Sequence, residues 1–180
     1  MTDFKLHTEK TAPAAAQPLI ENSKKAFGML PNLHAVMAEA PTLLEGYQVL
    51  HELFQKTSFS KEELTVVWQS INSEHECHYC VPAHSAIAAS MKVDAEINDA
   101  AVAHQPLADE KLEVLRQTTL AMVRQRGVLK DEQIEKFHAA GYGNQQLLEI
   151  VLGLSQKVMS NYTNHLANTP IDEPFKKFAK

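Results

Sequence analysis

From residue 18 onward, apolar residues recur at steps of three and four, and no stretch alternates polar with apolar residues over a β-branched run. A chain patterned this way buries helix faces rather than sheet faces, so the predicted fold class is all-α. After Pro41, one stripe runs through Leu43, Leu44, Tyr47, Leu50 and Phe54; another holds Leu64, Val67, Trp68 and Ile71. The second stripe has a marked start, because Ser60 is followed three residues later by Glu63, a pair that satisfies two otherwise unpaired backbone donors. Pro18 opens a helix that Gly28 ends, and Asn32 caps a short one to Ala40. Asp94, Asp109, Asp131 and Asn144 sit where helix N-caps belong, with Gly127 and Gly141 at C-terminal caps. The last helix, from about Gln145 to Leu166, offers Leu147, Leu148, Val151, Leu152, Leu154 and Val158 as its apolar face. Residues 1–17, with Thr8, Thr11, Pro13 and three alanines, carry few core candidates and read as an N-terminal arm. Residues 18–180 read as a single helical domain, ending after Pro170 in a tail whose Phe175 and Phe178 dock on the body or on a neighbour.

The 17 basic and 22 acidic residues give a formal charge of −5 without a basic run, which argues against nucleic acid as a partner. The sequence from Met1 to His7 lacks the apolar centre of a secretory signal, and no apolar run is long enough to cross a bilayer. The expectation is a cytoplasmic protein with no membrane contact. In a reducing compartment, the two cysteines, only three residues apart, point to metal binding or redox chemistry rather than to a stabilising crosslink.

Both cysteines lie in Glu74-His75-Glu76-Cys77-His78-Tyr79-Cys80-Val81-Pro82-Ala83-His84. Pro82 has no amide hydrogen and is tolerated only in a first helical turn, which puts the pair at a helix N-terminus. There the unpaired amides and the positive end of the helix dipole favour a thiolate. Cys80 and His84 are one turn apart and can meet, whereas Cys77 and His84 are about 10 Å apart along the axis. The spacing leaves several chemistries open. A c-type haem needs histidine directly after the second cysteine, and Val81 is there. Structural zinc would have to recruit His75, His78 or Glu74, with no second cysteine pair at finger spacing. A thioredoxin-like site needs flanking strands, and two inert buried thiols remain the bland alternative. His78 and Tyr79 line a pocket or face solvent, His75 bonds at the turn, and Trp68 belongs to the core. His34, His51, His104 and His138 show no recognisable spacing and read as surface or cap residues.

The run Cys77-His78-Tyr79-Cys80-Val81-Pro82-Ala83-His84, preceded by the capped helix from Ser60, resembles the core motif of the alkylhydroperoxidase D and carboxymuconolactone decarboxylase family, the motif core spanning residues 59–92. Gly28-Met29-Leu30-Pro31-Asn32-Leu33, Ala40-Pro41 and Asn161-Tyr162-Thr163-Asn164-His165 are similar to its peroxidase-related branch. The resemblance implies an AhpD-like helical bundle, a homo-oligomer (trimer or hexamer) and a thiol-dependent peroxidase. It needs no cofactor or metal and draws on an external dithiol, thioredoxin-like or lipoyl, as reductant. In that reading His84 takes the Cys80 proton, directly or through water, and the Cys80 thiolate attacks the terminal oxygen of a hydroperoxide. Cys77 then closes a disulfide. The family's relay glutamate, twelve residues before the first cysteine, is Thr65 here, and Glu74 is the expected substitute. Asn164 and His165 are expected at packing or subunit contacts. Two other readings stay open: a redox-sensing or interaction module without turnover, and a decarboxylase-like lyase using His84.

Overall fold

The computed structural model describes residues 4–179, and among them every regular element is a helix. After a single 3₁₀ turn at Ala14–Ala16 come α1 (Gln17–Phe27), α2 (Asn32–Met37), α3 (Pro41–Gln55), α4 (Lys61–Glu74) and α5 (Cys80–Ser90). They are followed by α6 (Ala95–Val102), α7 (Glu110–Arg124), α8 (Asp131–Ala139), α9 (Asn144–Ala167) and α10 (Glu173–Lys176). The local signals act as their chemistry requires. Ser60 Oγ accepts from Glu63 N at 3.2 Å while Glu63 Oε2 accepts from Ser60 N at 2.8 Å, closing the capping box of α4. Asp94 and Asp109 cap α6 and α7, and Gly28 ends α1 in the left-handed region at φ 71°. Asn32, Asp131 and Asn144 are displaced by one position: each is the first residue of its helix, and Pro31, Lys130 and Gly143 flank them.

Helix α4 is the centre of the bundle, in contact with α5, α6, α7 and α9. Toward α7 and α8 its Leu64, Val67 and Ile71 join Leu112, Leu115 and Phe137 in an apolar core. Helix α9 lies along α3, and at Gly153 the two approach so closely that a Cβ there would sit 2.6 Å from Phe54 Cε2. The expected apolar face of α9 is buried only in part: Leu147, Leu152 and Leu154 pack against the core. Leu148 is 70% exposed and Val151 45%, while Ile150, Gly153, Gln156, Lys157, Ser160, Asn161 and Asn164 are buried. Both stripes have helical spacing, and the mostly polar one faces inward because the cysteine turn it meets is polar as well.

The segment before α1 lies against the body: His7 N donates to Ala35 O at 3.1 Å, and Ala16 is fully buried. The C-terminal segment docks too, with Phe175 edge-on to Tyr79. No helix among the described residues is long and apolar enough to cross a membrane.

Candidate active site at the cysteine turn

Between α4 and α5 the chain reverses at Glu76, whose φ of 50° is left-handed, and Cys77 N returns to Asn72 O at 3.0 Å. Cys80 then opens α5, with Pro82 in its first turn as its missing amide hydrogen demands. The turn folds Cys77 back on the helix start, so that Cys80 N donates to Cys77 Sγ at 3.3 Å. Both thiols are free and buried.

The inner face of α9 completes their surroundings. Asn164 Nδ2 donates to Cys80 Sγ at 3.2 Å and lies 3.9 Å from Cys77 Sγ. Asn161 Nδ2 donates to Asn72 Oδ1 at 3.0 Å, and its own Oδ1 is 2.9 Å from His75 Nδ1, which ties the end of α4 to α9. Lys157 is fully buried, with Nζ 2.8 Å from Nε2 of His84, and Nδ1 of that imidazole is buried without a partner. Trp68 packs on the His84 ring at a centroid distance of 4.8 Å and donates from Nε1 to Gln156 Oε1 at 2.9 Å. His51 also stacks on Trp68, at 5.6 Å, so this core residue backs both imidazoles.

The electrostatics separate the two sulfurs. Burial opposes ionisation of Cys80, but the hydrogen bond of Cys77, the charge of Lys157 and the contacts of Ser160 and Asn161 outweigh it and bring the thiol down to about 5. Hydrogen bonding to Cys80, burial and the charge of that neighbour all push Cys77 upward, so Cys77 stays a thiol. Burial lowers the basicity of Lys157, and the neighbouring sulfurs counter it in part. Burial, then Lys157 and His51, hold His84 well below its ordinary value and therefore neutral.

A cavity of about 210 Å³ reaches Cys80, His84 and Lys157. Its walls are largely apolar and aromatic, with Leu33, Tyr47, Tyr79, Ala83, Ile87 and Phe175 contributing. His34 and His51 also line it, contrary to the expectation of surface or cap roles. Burial first, and the neighbouring charges second, bring His34 down to about 3 and His51 to about 4, so both rings are neutral wall elements. A wider cleft of about 560 Å³ between α1 and α3 shares Phe27, His34, Tyr47 and His51 with this cavity.

The motif's other residues hold the C-terminal segment. His78 Nε2 is 2.9 Å from Thr169 O, and Tyr79 OH donates to Asp172 Oδ2 at 2.5 Å. Asp172 also accepts from Asn32 N at 3.1 Å.

The structure thus brings Cys77, Cys80 and His84 into one site but not Glu74. That carboxylate is held by Arg124 through two bonds of 2.8 and 2.7 Å and points toward α7. Thr65 is buried and its hydroxyl bonds Lys61 O at 2.9 Å. Asn164 touches the sulfurs instead of serving only as packing. Lys157 escaped the sequence reading altogether. Its only signal was that Gln156, Lys157, Ser160, Asn161 and Asn164 share one helix face. Among the described residues, no three histidine, cysteine, aspartate or glutamate side chains converge as a metal site.

No family model matches the chain, and no curated protein matches it in sequence. Solved structures match over nearly the whole chain. An alkylhydroperoxidase AhpD core from Ralstonia eutropha JMP134, described as an uncharacterized peroxidase-related protein, superposes with a TM-score of 0.84 at 15% identity, covering 96% of this chain and 93% of that one. The chain has the AhpD-core fold. A second AhpD-like structure, an uncharacterized peroxidase-related protein from Silicibacter sp. TM1040, matches with a TM-score of 0.80 at 18% identity over 97% of this chain and 92% of its own. A variant of the debrominase Bmp8 in complex with 2,3,4-tribromopyrrole superposes with a TM-score of 0.82 at 18% identity, covering 99% of this chain and 96% of that one.

Proposed function

We propose that this chain is a thiol-dependent peroxidase in which Cys80 attacks the hydroperoxide and Cys77 resolves the product. The observation that carries the reading is the geometry of the pair: Cys80 opens α5 and its Sγ accepts from Asn164 Nδ2 at 3.2 Å, which favours a thiolate there, and Cys77 Sγ lies 3.3 Å from the Cys80 backbone nitrogen, close enough to resolve the product. The thiolate forms a bond to the terminal oxygen of ROOH as the O–O bond breaks, giving Cys80 sulfenic acid and an alkoxide that is protonated to ROH. The Cys77 thiol then displaces hydroxide from that sulfenic acid; water leaves and a Cys77–Cys80 disulfide remains. An external dithiol, of thioredoxin or lipoyl type, returns the pair to two thiols by exchange. The largely apolar walls favour organic hydroperoxides over hydrogen peroxide. A dithiol maintained in the reduced state suits a reducing compartment such as the cytoplasm.

The outer face of α9 supports assembly with copies of the same chain, since Leu148, Val151, Tyr162 and Leu166 are exposed there and Val49 and Leu53 are exposed on the neighbouring α3. A trimer or hexamer is the proposed form.

Steady-state consumption of cumene hydroperoxide with dithiothreitol tests the reading. Repeated turnover is expected. Oxidation that stops after one equivalent marks a redox sensor. A second reading, reductive dehalogenation of a small aromatic, has the ring-lined cavity and the likeness to the debrominase in its favour. There the dithiol supplies two electrons, the carbon–bromine bond becomes carbon–hydrogen, and bromide leaves. Bromide release from a bromopyrrole with dithiothreitol, without peroxide turnover, selects it.

A further inference from the structure

We propose that Lys157, not a carboxylate relay, accepts the Cys80 proton and returns it to the leaving alkoxide, with His84 as the positioning residue that fixes the lysine amine. Three observations carry this. Lys157 is fully buried on the face of α9 that meets the sulfurs, where Ser160, Asn161 and Asn164 follow it one and two turns on. Its Nζ is 2.8 Å from His84 Nε2 and lines the same cavity as Cys80. The carboxylate that the sequence suggested for the relay is occupied by Arg124, and position 65 is a threonine bonded within its own helix.

The titratable groups facing Lys157 are Cys77 from the turn, Cys80 and His84 from α5, and His51 from α3. Buried ammonium groups are costly unless paired, so the amine is protonated when Cys80 is a thiolate and gives up its charge when that anion is consumed. The cycle balances. Cys80 S–H and Lys157 NH₂ become thiolate and ammonium, the thiolate takes the terminal OH of ROOH, and the ammonium proton converts RO⁻ to ROH. The neutral amine is restored for the next thiol. His84 Nε2 accepts one Lys157 N–H throughout and aims the remaining hydrogens at the sulfur and the incoming oxygen.

The donor half of this scheme rests on the peroxidase reading, while the acceptor half stands without it, and the tests separate the two. In the first, Cys80 alkylation by iodoacetamide is followed against pH with mass mapping. The midpoint, lowered in the unmutated chain, rises by about two units in Lys157→Met, so labelling about one unit above the unmutated midpoint falls about tenfold; in His84→Gln, which keeps an acceptor for the amine, the midpoint moves by less than about half a unit. A midpoint left where the unmutated chain has it, in a folded Lys157→Met protein, overturns the acceptor role. The unmutated chain gives a second measurement should that variant not fold. The Lys157 ε-carbon NMR signal shifts from its ammonium to its amine position when Cys80 is capped at pH 7.5, and a signal that stays put overturns the pairing.

The donor role is read from the ratio of rates with peracetic acid and tert-butyl hydroperoxide, in which the thiolate fraction cancels. Carboxylate leaves without a proton and alkoxide does not, so the ratio rises at least about tenfold in Lys157→Met. An unchanged ratio overturns the donor role while leaving peroxide reduction itself intact.

Discussion

The two sides of α4 rest on opposite chemistry. Toward α7 it packs Leu64, Val67 and Ile71 against Leu112, Leu115 and Phe137, a cluster that needs only apolar volume. Around its C-terminal end, where the cysteine turn meets α9, the buried groups are Gln69, Asn72, Lys157, Ser160, Asn161 and Asn164 with two thiols. The first region is built to hold the bundle together. The second carries buried polar atoms that every neighbour must satisfy, a cost that makes sense where sulfur must ionise. If the proposed chemistry holds, stability and reactivity are divided between the two sides of α4, and substitutions on each side should separate them.

The largest effect expected is at the sulfurs. Cys80→Ser removes peroxide turnover to background, a loss of about a thousandfold or more in kcat/KM, while Cys77→Ser still forms Cys80 sulfenic acid, trapped by dimedone, and stops after one event. Sulfenic acid trapped at Cys77 in the Cys80→Ser protein would reverse the order of attack. On the other side, Leu115→Ala, at a fully buried position of α7, should cost about 2–5 kcal/mol in urea unfolding, with Cys80 reactivity per folded molecule unchanged. Asn164→Ala should do the opposite: about 1–2 kcal/mol of stability but a clear drop in Cys80 alkylation near neutral pH, because Asn164 Nδ2 donates to that sulfur at 3.2 Å. Equal effects of both substitutions on thiol reactivity would erase the distinction.

Acid sharpens it further. His34 and His51 are neutral in the folded chain, at about 3 and about 4, below their ordinary value of 6.5. Their contribution is fully present above pH 6.5 and is lost as pH falls toward those folded values, since the unfolded chain takes up protons first. Each ring should lower stability by about 1.4 kcal/mol per pH unit once well below its unfolded value. Urea midpoints measured at pH 7.5 and 5 should show that drop, and His34→Gln should reduce it. The smallest effect belongs to Glu74→Gln. Paired with Arg124 at the surface, Glu74 should contribute under about 1 kcal/mol, and peroxide turnover should stay within about twofold. A large loss of turnover would return Glu74 to the proton path.

Much of the frame was legible because its signals are local. The Ser60–Glu63 box, the proline in the first turn of α5 and the glycine ending α1 each satisfy or remove specific backbone groups within four residues. The thiol pair and His84 were legible for the same reason. Lys157 was not, because the sequence around it gives no sign of burial. In α9 two stripes share helical spacing, and the choice between Leu148 and Val151 on one side and Lys157 and Asn161 on the other is made by the distant turn they meet. Glu74 lies turned away from the sulfurs for a related reason. Three residues from Cys77 in sequence, it lies at the end of α4, and its direction is set by Arg124 fifty residues away.

The most direct test of the account is a thiol count on the reduced chain before and after one equivalent of cumene hydroperoxide, with the new bond mapped by mass spectrometry. The account predicts the loss of both thiols and a Cys77–Cys80 crosslink formed within the chain. Two thiols still free, with the peroxide unconsumed, would contradict it.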